Sequence, residues 1–536
     1  MALEQAPDTD PSIVSADDGT TFAVDDWPAP PASPALLARP ATAEAAAAYA
    51  PADAFRLHSR RGAARTVYLD FDGGQLLSTN AWLKNGLTTT LYPGWSLDSS
   101  AAFSDTERAV VIETWQRMAE DFAPFDVDVT TEEPAYGGLF RGSSDDPTYG
   151  TRVAFTSGSK VQDALCGGGC GGIAWIGTYD SITSGETRSP AWVFPSSLGN
   201  RAKNLAEAGS HETGHTLGLD HDGTSSNAYY SGTSLWGPLM GAPYTSGVSQ
   251  WSRGDYNGAN NHQDDLAVMR SNGIGLRPDE AGGTAATAVP LSSLGGGRGV
   301  ISSATDTDWL TVTDCSGTVT VQAQPADVGA NLDVGLQVRN AAGTLLASSA
   351  PDSYRGSTGV AGLSASVSLP LNGGPYHLVV SGTGSGKAWS AGGYDDYGSL
   401  GGYRVLVSGC TGNVYPSVGT PTPPPASHPT TTTRPGAPRR PAAASGARGG
   451  RRTIVAAWRP PAVSGGAPVT RYLVSAYRVG ARGRVVARTA TAKSLSAGTR
   501  KISLTLPRGR WVVRVRAANR MGWGPYSTAS VRVVAR

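Results

Sequence analysis

What this chain has little of narrows the field before any motif is read. No stretch approaches the roughly 18 consecutive apolar residues that a spanning helix needs, so no helical membrane span is expected. Cysteine is scarce, four in 536 residues, with Cys166 and Cys170 close together and Cys315 and Cys410 far apart. A low, even count suits an exported protein with two disulfides. Cys166-Gly-Gly-Gly-Cys170 lacks the neighbouring partners that a thiolate metal site needs, so a disulfide closing the glycine loop is preferred. No signal peptide is visible, because Met1 to Pro11 is polar and acidic rather than a charged start followed by an apolar run.

Stretches with helical period are also few, while Gly (69) and Pro (36) abound, so much of the chain reads as strands and loops. Acidic residues are missing altogether from Arg451 to Arg536, which holds 18 of the 44 Lys and Arg. That leaves 26 basic against 43 acidic residues on the preceding 450, a net of −17 hidden behind an overall +1. A cationic tail on an anionic body suits contact with an anionic cell surface; a solvated, arginine-biased surface is the plainer explanation. The tail lacks any nucleic-acid module, so no nucleic-acid partner is expected. Length alone suggests about three domains.

Against this background one stretch stands out: His211-Glu212-Thr213-Gly214-His215-Thr216-Leu217-Gly218-Leu219-Asp220-His221-Asp222. Three of the seven histidines fall inside eleven positions. His211 and His215 are four apart, which on a helix places them one turn apart on one face, both able to reach one metal. Gly218 can take the positive φ that stops the helix and turns the chain back. His221 then arrives as a third nitrogen ligand. Three neutral imidazoles leave a tetrahedral zinc one open position, the arrangement of a catalytic site. Zinc lowers the pKa of a bound water to about 7, and Glu212, beside the ligands without being one, is placed to take its proton. The five-residue core of such a pattern recurs by chance; the eleven-residue form is far more specific.

The stretch resembles the active site of metzincin zinc metallopeptidases, nearest to the reprolysin-like branch at Asp222, although the rest of the domain lacks that branch's disulfides. The resemblance implies an α+β catalytic domain, a mixed five-stranded sheet plus helices, over residues 58–275. It implies a secreted, monomeric endopeptidase with one catalytic Zn2+. Met240, 19 residues after His221, fits the family's methionine turn beneath the ligands. Tyr244 is a candidate transition-state stabiliser, four residues after Met240 where some metzincins place a tyrosine two residues on. Gly172, Ile173, Ala174 and Trp175 have the character of the edge strand against which such enzymes lay the substrate backbone, a form of strand addition.

The remaining chain is read around this domain. Residues 1–57 form a flexible leader or pro-segment, extended over Pro28 to Pro51; no cysteine precedes Cys166 to plug the zinc, and an inhibitory aspartate stays open. Ser104 to Glu107 is a capping box that opens a helix carrying Val111, Trp115, Met118 and Phe122. Strands are expected near 66–72, 126–131, 151–156 and 191–194, a helix from near Asn200, and a closing helix over Gln263 to Arg270. Residues 276–411 alternate between short strands and Gly/Asp/Ser turns and resemble a jelly-roll-like pre-peptidase C-terminal domain, with Cys315 and Cys410 near its ends. That resemblance implies that Ca2+ can bind, with Asp279, Glu280 and Asp308 as candidates; turn aspartates are the default reading. Residues 412–451 are a Pro/Thr-rich linker. Residues 452–536, with Trp458, Tyr472 and Trp511, resemble a fibronectin type III sandwich. The competing reading is a surface-binding adhesin with a vestigial catalytic domain; zinc hydrolysis of a non-peptide amide is a third.

Overall fold

The sheet that carries the site begins in the leader. Ile13–Ser15 (β1) and Thr21–Asp25 (β2) pair antiparallel across a turn where Gly19 takes a φ of 80°. Residues 10–26 are therefore an ordered hairpin, which corrects the flexible-leader reading for that segment. The computed structural model describes residues 10–26, 49–414 and 434–535, apart from loop stretches at 99, 101, 135–136, 183–186, 357–358, 387–388, 390–391, 447–451, 462–468, 480–484, 489–492, 497–498 and 520–521. Most of the Pro28 to Pro51 run and of the Pro/Thr-rich linker lies outside the described residues.

Arg65–Asp70 (β3) is buried from Val67 onward, the near-continuous burial expected of a strand covered on both faces. It is followed by the helix Asp105–Asp121 (α1), and then by Val127–Thr130 (β4) and Tyr149–Phe155 (β5), both parallel to β3. The capping box on α1 is present as read: Ser104 accepts from the backbone of Glu107, whose carboxylate reaches back. Its buried stripe of Val111, Trp115, Met118 and Phe122 packs on the sheet. Ser159–Cys166 (α2) leads into Gly172–Trp175 (β6), which runs antiparallel to Ala191–Val193 (β7). The seven-stranded order is β1-β2-β6-β7-β5-β3-β4. Without the leader hairpin it is a mixed five-stranded sheet with β6 at the edge.

Ala202–Thr216 (α3) crosses beneath the sheet, and all its residues but Lys203 are buried. Close packing demands glycine at two places. A Cβ at Gly209 would sit 2.7 Å from the Met118 sulfur, and one at Gly214 would sit 2.5 Å from the Met240 sulfur. Gly218, at φ 91°, ends the helix, with Leu219 N donating to Gly214 O and Gly218 N to His215 O. Asp265–Ser271 (α4), capped by Asp264, closes the domain.

Residues 276–411 build a second, separate core of strands. Thr307–Pro325 is one long strand, not the short strand expected of this block, and it continues through a register shift between Cys315 and Thr320. It pairs first with Tyr376–Gly382 and then with Ala365–Gly373 and Gly401–Gly412. The Cys315–Cys410 disulfide ties two of these strands, and Cys166–Cys170 closes the glycine loop, both as expected. This block docks on the domain of residues 58–275 through polar contacts. Gly402 N donates to Glu120 Oε1 at 2.9 Å, Asn331 Nδ2 to Asp121 Oδ1 at 2.8 Å, and Tyr397 OH to Asp264 Oδ1 at 2.7 Å. Residues up to Pro421 form one compact unit and the rest a second.

In that second unit, a three-stranded sheet (Ala442–Ser445, Thr453–Ala457, Lys501–Thr505) and a larger one built on Arg471–Val479 and Gly509–Asn519 close over Trp458, Tyr472 and Trp511. Several of its arginines stack on rings, Arg471 and Arg516 over Trp523 and Arg514 over Tyr477, rather than forming one bare basic face. Among the described residues no helix is long and apolar enough to cross a membrane.

Candidate metal centre

The helix α3 presents His211, Glu212 and His215, and the turn at Gly218 delivers His221 against them, so the four come together as their spacing predicts. Their ring centroids lie 4.8 Å (His211–His215), 5.3 Å (His211–His221) and 4.7 Å (His215–His221) apart. Each Nδ1 is held by an oxygen: His211 by Leu239 O at 2.8 Å, His215 by Leu219 O at 2.8 Å, and His221 by Asp10 Oδ2 at 2.8 Å. An acceptor on Nδ1 keeps the proton there and leaves the Nε2 lone pair for a metal, the usual outer support of a histidine ligand. The Nε2 atoms of His215 and His221 are 3.0 Å apart. With Asp25, the three histidines form a buried group whose ligand atoms all lie within 4.8 Å of one another. Two ligands at 2.0–2.1 Å in a tetrahedron stand about 3.4 Å apart, so the donor set fits zinc in type and spacing.

Asp25 enters this group from the leader. Its Oδ1 lies 2.8 Å from His221 Nε2, and its Oδ2 is 3.7 Å from His211 Nε2 and 3.6 Å from His215 Nε2. It sits where a fourth ligand would. Burial alone would raise this carboxyl, yet the facing histidines hold it well below its ordinary range. The same contacts act on the rings. Burial lowers His211 to about 3, whereas at His221 the carboxylates of Asp25 and Asp10 outweigh burial and raise it to about 9. Glu212 is fully buried, and burial together with the charge of Asp25 pushes its pKa well above the carboxylate range.

Met240 is fully buried against Gly214, which lies between the two helical histidines in sequence, and its carbonyl accepts from Asp222 N at 2.8 Å. Gly172 is required by Glu212, since a Cβ there would stand 1.8 Å from Glu212 Oε1. The edge formed by Gly172, Ile173, Ala174 and Trp175 is covered by the leader, paired antiparallel as Asp25↔Gly172, Val24↔Ile173, Ala23↔Ala174 and Phe22↔Trp175. Gly171 N extends the ladder by donating to Asp25 O at 2.8 Å.

A further tyrosine stands at this group: Tyr229 donates its hydroxyl to Asp25 Oδ1 at 2.9 Å and lays its ring 4.5 Å from that of His221. Tyr244 is buried in the core beneath, its pKa raised by burial and then by Asp25, Glu207 and Glu212. Sequence reading thus missed Asp10, Asp25 and Tyr229. The available signals were slight: an apolar triplet, Phe22-Ala23-Val24, ending on an aspartate, and a tyrosine eight residues past the third histidine.

Of the residues expected to offer a calcium site, Asp279 and Asp308 bring carboxylate oxygens within 4.8 Å of one another together with Asp306. Glu280 accepts from Val300 N at 2.5 Å and faces Arg277.

No family model matches the chain, and no curated protein matches it. Among solved structures, the FN5 domain of Drosophila Lar aligns at 22% identity over 19% of this chain and 96% of that one, with a TM-score of 0.15. Titin kinase and its flanking domains align at 20% identity over 19% of this chain, with a TM-score of 0.14, and this chain spans only 17% of that structure. A computer-based redesign of a β-sandwich protein aligns at 19% identity over 18% of this chain and 92% of that one, with a TM-score of 0.14. Scores this low carry no argument about fold or site, which rest on the geometry above.

Proposed function

We propose that the chain is an exported zinc-dependent endopeptidase of metzincin type, held closed by its own leader. The observation that carries this reading is the convergence of three imidazoles, each fixed through Nδ1, beside buried Glu212 and an edge strand that already holds an extended peptide. Held by His211, His215 and His221, a zinc ion would supply Lewis acidity, acidifying water and polarising a carbonyl.

The protein's own groups do the rest. The edge β6 binds the peptide backbone in register and fixes the scissile carbonyl over the histidines. Glu212, freed of Asp25, takes the proton of the attacking water on its carboxylate and returns it to the leaving amine. Tyr229 donates its hydroxyl to an oxygen placed where Asp25 Oδ1 now lies, matching the charge that develops there. Met240 and Gly214 keep α3 and the turn beneath it in contact, so the ligands do not drift. Calcium, if it binds, would be held by Asp279, Asp306 and Asp308 and would order the start of the sandwich.

The test is Glu212→Ala in the full chain, opened by Asp25→Ala and loaded with zinc. Peptide cleavage is expected to vanish while one zinc per chain is retained. Retained cleavage would overturn the mechanism.

A further inference from the structure

The leader covers the edge strand in one direction and one register, so its side chains mark the surfaces a peptide bound there would meet. Side chains of directly opposed residues in an antiparallel pair point to the same face of the sheet. Gly172 faces Glu212, which puts its partner Asp25 and, two residues away, Ala23 on the metal side. Phe22 and Val24 point to the other face.

There Phe22 is only 6% exposed, with its ring centroid 4.9 Å from that of Trp175 and 5.5 Å from that of Trp82, both edge-on. Trp82 and Trp175 touch each other, centroids 4.9 Å apart, and together line the cleft that Phe22 fills. Neither belongs to the leader. Trp82 is fixed by its indole N–H, which donates to Pro190 O at 2.9 Å, and Trp175 lies under the Arg188 guanidinium at 5.2 Å. Once the leader leaves, this cleft stands open on the edge of the strand, three residues upstream of the residue at the histidines.

We propose that the Trp82–Trp175 cleft is a substrate subsite for an aromatic side chain, and that the leader is a substrate mimic whose Phe22 fills it. This rests on the peptidase reading of the histidines. The ligand is an extended peptide with an aromatic residue, a small residue that fits where Ala23 packs over Ala174, an aliphatic residue, and then the residue at the metal. Edge-to-face packing against two indoles favours Phe, Tyr or Trp over an aliphatic chain of equal area.

The experiment uses the full chain carrying Phe22→Ala and Asp25→Ala, so that its own leader competes weakly. Acetyl-Thr-Phe-Ala-Val-Asp-amide and the same peptide with Ala or Leu in place of Phe are titrated by calorimetry. A mixed peptide library is then cut with zinc present. The Phe peptide is expected to bind at least tenfold tighter than the Ala peptide, about 1.4 kcal/mol, and tighter than the Leu peptide. Trp82→Leu is expected to erase the gap; should that variant unfold, the three-peptide comparison decides alone. Aromatic residues are expected three positions before the residue whose carbonyl is cleaved. Equal affinities for the three peptides, with cleavage that ignores aromatics, would overturn the subsite and leave the peptidase reading standing. Selective binding of the Phe peptide without any cleavage would support the cleft and remove the peptidase reading.

Discussion

The sharpest consequence of the site concerns Asp25. Replacing it with alanine removes a carboxylate that meets His221 Nε2 at 2.8 Å and accepts from Tyr229 OH at 2.9 Å. In the zinc-loaded chain His221 Nε2 would face the metal, so the hydrogen bond that counts is the one from Tyr229, and a bond to a charged group contributes roughly 1.5–3 kcal/mol to leader closure. At about 1.4 kcal/mol per decade, the closing equilibrium should weaken by some one to two decades. The strand pairing of Phe22 to Val24 and the Asp10 contact remain, so the leader stays partly docked rather than falling away. The assay is turnover of a quenched fluorescent peptide by zinc-loaded full chain, with and without Asp25→Ala, with metal content and melting temperature measured in parallel. Turnover should rise by at least one decade, and less for Asp25→Asn, whose amide oxygen can still accept from Tyr229. Unchanged turnover in Asp25→Ala, at equal zinc content and equal melting temperature, would refute the idea that this carboxylate closes the site.

Three further outcomes follow from the same geometry. In the Asp25→Ala chain, Tyr229→Phe should lower kcat by about 10²–10³-fold with KM little changed, the usual loss for one donor to a developing oxyanion; a change confined to KM would make the residue a binding contact only. Asp10→Ala should weaken zinc by about 10–100-fold in a chelator competition, because His221 loses the acceptor on its Nδ1; unchanged affinity would leave Asp10 no supporting role. Burial raises Glu120 to about 8 and Asp121 to about 7, so between about pH 4.5 and 8 the folded chain holds protons that the unfolded chain has lost. That contribution is full below the ordinary carboxylate range and is lost as pH climbs through 7 and 8, up to a few kcal/mol in all. Melting temperature should fall across that window, and Glu120→Gln, which still accepts from Gly402 N, should flatten the fall. An identical slope in the variant would show that Glu120 does not titrate there.

How much of this could be read from the chain depends on how local each signal is. The ligand stretch spans a single helix end, so spacing and one glycine were enough, and the capping box at Ser104 is equally local. Met240 was legible because methionine is rare here. Tyr229 was not, because its loop has no period and the adjacent Tyr230, stacked on Tyr256 at 4.5 Å, is an equal candidate by type. The length of the strand Thr307–Pro325 is not legible in the same way, because Ser316-Gly317 are turn-forming types, whereas cross-strand pairing carries the chain through them with Gly317 at φ 71°. Asp25 and Asp10 lie 196 and 211 residues before His221, and a five-residue strand announces nothing until an edge exists to receive it.

That long separation also explains how the latch can be decisive and yet detachable. The Nδ1 acceptors of His211 and His215 are the carbonyls of Leu239 and Leu219, which lie outside the leader and stay when it leaves. His221 takes its Nδ1 acceptor from the leader, Asp10, while Asp25 faces the Nε2 atoms of all three rings. The hairpin therefore reaches both nitrogens of the histidine that arrives from a turn rather than from the helix. Its release leaves the Nδ1 contacts of the two helical histidines in place and changes the setting of the third, alongside Glu212 and the edge strand β6. A leader built this way can close the site without being needed to form its helical half.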